Sequence, residues 1–306
     1  MIVDLPDTTT GELSKRLVRM RADVGAMALS RVLTLVIVVD DLDSEQAITV
    51  ANEASRQHPS RILVLVHGPG RGRSRLDGQI RVGGDAGASE VFVCRLMGPL
   101  VKHAASVVTP LLLPDSPIVA WWPRQAPTDL SLDPIGAMAQ RRITDAVHLR
   151  GTPRTVLRRL ARTYTPGDTD LAWGRITRWR GLLAAALDQA PFEPVESAVV
   201  RGAPDSPSAD LLAAWLHARL RCPVTVERSK ASSGVIGASL TRASGILDLH
   251  RPEEGNVATL TAPGQPVRTI ALAHRSDAEC LAEELRRLDI DEIYEQALTE
   301  GLEGVR

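Results

Sequence analysis

The sequence predicts a two-domain α/β protein, with a mainly parallel sheet over residues 1–190 and a mixed sheet over residues 191–306. Three observations carry this reading. Short runs that are apolar at nearly every position, such as Leu33–Val39 and Arg61–Val66, have strand length and look buried on both faces, as in a parallel sheet. Between such runs lie segments with apolar residues at helical spacing, so strand, helix and strand alternate as β-α-β units of right-handed connection. Pro191, Pro194 and the loop Gly202-Ala-Pro-Asp-Ser-Pro-Ser208 then interrupt the pattern, and the same order resumes after them. A chain of 306 residues, at roughly 100–200 per domain, accommodates two such bodies.

In chain order, Leu13, Leu17, Met20 and Val24 predict an amphipathic helix over 12–29, opened by a capping box of Thr9 and Glu12. The strand Leu33–Val39 ends at Asp40-Asp41-Leu-Asp43, and Asp43 with Gln46 repeats the capping pattern for a helix to about Gln57. Pro59 precedes the strand 61–66. Residues 67–78 read as a flexible basic loop, followed by short strands near 79–82 and 90–95 and a helix over 99–113 that Pro114 ends. Ile118–Trp122 is a strand closed by Pro123, with another near 143–147 and a helix near 153–164. Trp173, Ile176, Trp179, Leu183 and Leu187 step by three and four, which predicts one helix over 170–189. The second half reads as strand 195–201, helix 209–220, strand 224–228, antiparallel strands near 243–250, 256–261 and 266–272, and a last helix from Ser276 with Glu279 as a third capping box.

Composition narrows the function. A hydrophobic share of 44% excludes a disordered chain, and a net charge of −1 gives no whole-chain field for nucleic acid or anionic membrane. No stretch offers the ~20 unbroken apolar residues of a membrane span, and Met1-Ile-Val-Asp-Leu-Pro-Asp7 lacks a signal peptide's basic and apolar regions. Cys94, Cys222 and Cys280 are odd in number and far apart, so neither a disulfide framework nor a zinc cluster is encoded. A cytoplasmic protein is the expectation.

The catalytic motifs are missing. At the first strand's end, where a dinucleotide fold needs glycines, stand Asp40 and Asp41, which repel phosphate. No P-loop, nucleophile elbow or closely spaced histidine pair occurs, so no catalytic, cofactor-binding or metal-binding residues are assigned.

Recognition chemistry is better represented. The sequence has nine aromatic residues, and two of its five Trp stand together in Thr109-Pro-Leu-Leu-Leu-Pro-Asp-Ser-Pro-Ile-Val-Ala-Trp-Trp-Pro123. On a strand Trp121 and Trp122 face opposite ways. At the strand's C-terminal end they lie near the crevice where open α/β sheets bind ligands, as do Asp40, Asp41 and His67 at two other strand ends. Core packing and recognition are both open for the two Trp. Residues 150–180 carry eight arginines interleaved with Tyr164, Trp173 and Trp179, while 277–303 holds ten acidic residues against Arg286 and Arg287. The basic stretch suits an acidic protein surface or a solvated face, and the acidic one a solvated face or a match to it.

Several segments together resemble one family: Leu33-Thr-Leu-Val-Ile-Val-Val-Asp40, His58-Pro-Ser-Arg-Ile-Leu-Val64, Thr109–Pro117 with Ala120-Trp-Trp-Pro123, Arg141-Arg-Ile-Thr-Asp145, Asp170-Leu-Ala-Trp173 and Thr177-Arg-Trp-Arg180. They resemble the OpcA family of glucose-6-phosphate dehydrogenase assembly proteins, most specifically over 30–190. The resemblance implies a non-catalytic protein that needs no cofactor, binds the dehydrogenase and favours its active oligomer. It also implies that Arg61, Pro114, Asp115, Pro117, Trp121, Trp122, Trp173 and Trp179 are structural or form the partner surface. The other reading of the residues is a sugar-phosphate- or nucleotide-binding α/β protein.

Overall fold

A computed structural model describes residues 1–24, 32–56, 58–83, 89–230, 234–253 and 255–305. The chain forms two compact units, Met1–Thr144 with Asp277–Asp289, and Asp145–Ser276 with Ile290–Arg306. The division expected near residue 191 and the division into these units differ by residues 145–190 and 277–289.

The first unit begins with β1 (Ile2–Leu5), α1 (Thr10–Val24), β2 (Leu33–Asp40), α2 (Ser44–Ala54), β3 (Ser60–His67), β4 (Arg75–Arg81), β5 (Glu90–Met97), α3 (Ala104–Val108), β6 (Ile118–Trp122) and β7 (Arg141–Thr144). Its strands lie in the order β1-β4-β5-β3-β2-β6-β7. From β5 to β7 every pairing is parallel, and β1 and β4 add antiparallel partners at one side. The mainly parallel α/β reading is therefore correct. Strand β2 is buried along seven of its eight residues, which is why its sequence shows no alternation.

On one face of the sheet Val36, Val38, Leu63, Leu65, Phe92, Ala120 and Trp122 form a core with Leu13, Leu17 and Met20 of α1 and with Leu130 and Ile135. Helix α2 packs on β2 and β3, and its buried Ala47, Ile48 and Ala51 lie outside that cluster, so it covers the opposite face.

Local signals explain where the reading of the sequence holds and where it fails. The capping box of α1 is present: Thr9 N donates to Glu12 Oε2 at 3.0 Å and Glu12 N to Thr9 Oγ1 at 3.3 Å. The predicted residues 25–29 of that helix, and Gln57, lie outside the described residues. Asp43 does not cap α2. A single 3₁₀ turn over 41–43 leaves it helical, at φ −101° and ψ −4°, so its side chain cannot reach forward; Ser44 Oγ donates to Asp41 O instead.

The loop 67–78 is shorter than expected because β4 starts at Arg75, in register with Met97. Gly78 hides the alternation there: a Cβ on it would come 2.5 Å from Leu13 Cδ2, so α1 fills the space of the missing side chain. The helix expected over 99–113 is α-helical only as α3, between 3₁₀ turns over 98–103 and 109–111 that begin at prolines.

The second unit contains α4 (Pro153–Arg162), β8 (Asp168–Asp170), α5 (Leu171–Arg175), α6 (Thr177–Leu187), β9 (Ser197–Gly202), α7 (Pro207–Leu220), β10 (Val224–Arg228), β11 (Val235–Arg242), β12 (Gly245–His250), β13 (Val257–Thr261) and β14 (Arg268–Ala271). Helix α8 (Asp277–Arg286) returns to the first unit and α9 (Glu292–Thr299) to the second. The second sheet has the order β10-β9-β11-β12-β13-β14, with β9 and β10 parallel and the other pairs antiparallel, the mixed sheet expected. Strand β11 was not foreseen. The helix predicted over 170–189 breaks at Ile176 (φ −98°, ψ 4°) into α5 and α6, and Arg180 then lies 3.5 Å over the Trp173 ring. Helix α7 is buried along most of its length, with α4, α5 and α9 packed against it.

Candidate functional site

The residues singled out by sequence fall at three places. At the C-terminal ends of the parallel strands of the first unit, Asp40 and His67 are register partners on β2 and β3. Asp40 accepts from Gln125 Nε2 at 3.3 Å, Asp41 accepts from Arg95 Nε at 3.1 Å, and Asp43 pairs with Arg124 at 3.3 Å. The segment after β6 is thus held against the turn after β2 through its first two polar residues. His67 Nε2 is buried without a hydrogen-bond partner. Burial holds the His67 imidazole below its usual range, with Asp40 and Asp133 pulling the other way.

That depression has a sign. An unfolded His titrates near about 6.5, so below that pH the unfolded chain binds a proton that folded His67 resists. The contribution of His67 to stability is intact above that value and is lost as pH falls through it toward the lower folded pKa. Urea unfolding at pH 7.5 and 5.5 is expected to show a smaller stability loss on acidification for His67→Gln than for the wild type; equal losses would remove His67 as the cause.

Trp121 and Trp122, expected at the same crevice, are each 2% exposed and lie on opposite faces of β6. Trp122 joins the first-face core and Trp121 Nε1 is buried without a partner. The structure therefore brings Asp40, Asp41 and His67 together and places both indole rings in the interior. It adds two residues to this end of the sheet. Leu42 is 98% exposed between Asp41 and Asp43, and Leu132, in the segment after β6, is 79% exposed. The signal for Leu42 was a lone leucine among three aspartates; for Leu132 none stood out.

The second place is the N-terminal end of the same strands. Arg61 Nη1 donates to Leu111 O at 2.8 Å, while its Nη2 meets the fully buried Glu90 at 3.2 Å. Leu113 N donates to Thr34 Oγ1 and Thr34 N to Pro117 O, at 3.2 and 2.9 Å. These bonds clamp the two stems of a loop whose tip, Pro114 and Asp115, is exposed. Asp115 turns that tip in the left-handed region, at φ 53°.

The third place is the second unit, where Trp173 and Trp179 are buried. Trp173 Nε1 donates to Asp291 Oδ2 at 2.8 Å, and its ring meets Tyr294 at 5.6 Å. The arginines of 150–180 do not form one surface. Arg175 binds Asp145 through two bonds of 2.8 and 2.7 Å, Arg154 meets Asp210 at 3.5 Å, and Arg180 covers Trp173. The three cysteines are buried, and burial pushes the Cys94 thiol up to about 12 and the Cys222 thiol upward, away from the reactive thiolate.

Residues 51–162 match the family described as glucose-6-phosphate dehydrogenase subunit N-terminal domain, OpcA_G6PD_assem, and residues 166–298 match the family described as its C-terminal domain, OpcA_G6PD_C. The chain belongs to the OpcA glucose-6-phosphate dehydrogenase assembly family. In this OpcA-family chain the N-terminal match takes in Arg61, His67 and the Pro114–Trp122 segment, and the C-terminal match takes in Trp173 and Trp179. The turn with Asp40, Asp41 and Leu42 precedes both matches. No curated protein matches the OpcA-family chain in sequence. A solved structure titled as trehalose-6-phosphate from E. coli bound with UDP-2-fluoro glucose aligns at 11% identity and TM-score 0.28, over 64% of this chain and 65% of that one, less than two thirds of its length. Among the described residues no helix is long and apolar enough to cross a membrane.

Proposed function

We propose that this protein is a non-catalytic partner of glucose-6-phosphate dehydrogenase that binds the enzyme and favours its active oligomer, so supporting NADPH supply by the pentose phosphate pathway in a bacterial cytoplasm. The observation that carries the reading is the pair of family matches, over residues 51–162 and 166–298, both named for that dehydrogenase. The geometry supports it: the three aspartates at and after the end of β2 are occupied by Gln125, Arg95 and Arg124, and all three thiols are buried.

The physical basis is linkage. A protein that binds one oligomer or conformer better than another shifts that equilibrium by its differential affinity, and a ~100-fold preference corresponds to about 2.7 kcal/mol. The contact surface proposed is the C-terminal end of the first unit's sheet, where Leu42 stands in solvent next to Asp41, and Leu132 stands in solvent next to Asp133, whose charge acts on His67. Apolar anchors ringed by charge are the anatomy of a protein interface. The buried Trp121 and Trp122 support that surface from within, and the Pro114–Asp115 tip is a second exposed candidate.

Size-exclusion chromatography of the purified chain with its host's dehydrogenase, with activity assayed across the fractions, tests the reading. Co-elution and a raised dehydrogenase rate are expected. Leu42→Asp, at a position where folding buries almost nothing, is expected to weaken the complex by roughly tenfold or more while leaving stability unchanged. Separate elution with unaltered kinetics would reject the partner; loss of binding in Asp115→Arg but not Leu42→Asp would move the contact to the opposite end of the sheet.

A further inference from the structure

We propose that the second unit holds a binding site for a small oxyanion, a phosphate group, in the pocket lined by Arg175, Ser208, Arg251, His274 and Arg275. All of these residues belong to one unit, and the site stands whether or not the protein acts on a dehydrogenase.

The pocket sits where β9 ends and α7 begins. Gly202, the last residue of β9, is in register with Val235 at the start of β11. A Cβ on Gly202 would meet Gly234 O at 2.7 Å and Ala209 Cβ at 2.8 Å, so only glycine lets the first turn of α7 approach the start of β11 this closely. Gly234 itself adopts φ +68°, the left-handed conformation that turns the chain into β11. Helix α7 is 14 residues long, and Ser206 caps it by accepting from Ala209 N at 3.2 Å. Ser208, in the first turn, lines the pocket. N–H groups of that turn have no acceptor within the helix, and the positive end of the dipole adds to them.

The observation that points to a ligand is Arg251. It is 4% exposed, yet its guanidinium donates only to neutral acceptors: Leu272 O at 3.0 Å, Val235 O at 2.9 Å and His274 Nδ1 at 3.3 Å. Its Nε has no hydrogen-bond partner, and among the described residues no carboxylate pairs with it. A guanidinium stays protonated, and a buried charge is ordinarily paired, because leaving water without a counter-ion is costly. Burial lowers the basicity of Arg251, as expected of a cation with no anionic neighbour. His274 is also held below its usual range, by burial and then by Arg251, so it accepts at Nδ1 as a neutral ring.

Around this lone cation, Arg275 donates to Gly174 O at 2.6 Å, and Arg175 already carries Asp145. Trp179 forms one wall, 5.3 Å beneath the Arg251 guanidinium. The exposed His274 marks the mouth.

Size selects among anions. The pocket holds about 50 Å³, several times the ~10–15 Å³ that one water needs on this measure. That is room for a tetrahedral oxyanion and far too little for a nucleotide. Arginine forks and a helix N-terminus are both complementary to phosphate oxygens. The phosphate is either inorganic or the phosphoryl end of a sugar phosphate whose sugar stays outside the mouth.

The test is isothermal titration of the full chain at constant ionic strength with inorganic phosphate, glucose 6-phosphate and glucose, repeated on Arg251→Met and Arg275→Gln. Arg251→Met keeps an apolar stem over Trp179, and Arg275→Gln changes a half-exposed residue, so at least one variant retains the fold. Saturable binding of phosphate that weakens roughly tenfold or more in a folded variant is expected. Equal affinity for phosphate and glucose 6-phosphate assigns the site to free phosphate, and tighter binding of glucose 6-phosphate assigns it to the ester. Three results would overturn the proposal: no saturable binding at millimolar phosphate, undiminished binding in both folded variants, or glucose binding as well as glucose 6-phosphate.

Discussion

Trp122→Ala is expected to lose about 3–5 kcal/mol of unfolding free energy and to leave the affinity of the folded fraction for any partner unchanged. The indole is 2% exposed and shares its core with Val36, Val38, Ala120, Leu130 and Ile135. Truncation removes its buried surface and leaves a cavity, and the penalty depends on how far the surroundings can collapse into the space. Here they can collapse little. A Cβ on Gly136 would lie 3.3 Å from Trp122 Cη2 and 1.7 Å from Leu130 O, so the backbone lining the ring is already in contact with itself.

Trp121 makes the contrast. Its Nε1 is buried with no acceptor, so Trp121→Phe deletes an unsatisfied donor along with some packing and is expected to cost clearly less than Trp122→Ala. Urea unfolding followed by circular dichroism separates the two. If Trp122→Ala kept wild-type stability and lost the dehydrogenase, the ring would belong to the contact surface and the core assignment would fail.

The legible parts of the sequence were those set by local pattern. β2, β3 and β6 appear where their apolar runs placed them, because a strand buried on both faces has no polar residues to blur its limits, and β9 and β10 appear where Pro194 and Pro223 mark their starts. The box at Thr9 and Glu12 was legible because both partners lie within four residues. What was hidden depended on distant residues. The first half of β4 was masked by Gly78, whose missing side chain is supplied by Leu13, and the break at Ile176 is accompanied by Arg180 stacking on Trp173.

The same distinction runs through the candidate site. That Trp121 and Trp122 diverge follows from strand alternation, but the burial of Trp122 depends on the distant segment with Leu130 and Gly136. The solitary charge of Arg251 was out of reach altogether, since one arginine among 33 carries no mark of what faces it.

The acidic C-terminal stretch was expected to be solvated or to answer the basic residues of 150–180, and Glu284 does neither. It is 4% exposed, as is its partner Arg141 on β7. Arg141 Nε donates to Glu284 Oε2 at 3.0 Å, Nη2 bonds to the same oxygen, and Nη1 donates to Asp289 O at 2.8 Å. Residues 143 apart thus tie α8 to the end strand of the first unit's sheet. Removing one charge leaves the other buried and unpaired, so Glu284→Leu or Arg141→Met alone is expected to destabilise by about 3–5 kcal/mol.

Removing both is different. The double variant Arg141→Met/Glu284→Leu exchanges two desolvated charges for apolar groups of similar size and is expected to recover most of that loss, since the attraction of a buried pair roughly offsets its desolvation. The coupling from the four-variant cycle should then be large and opposite to the sum of the single losses. Equilibrium unfolding of the four proteins reads it directly. Single losses below about 1 kcal/mol, the range of exposed pairs, would mean that water reaches Arg141 and that α8 is held in place by its packing on α2.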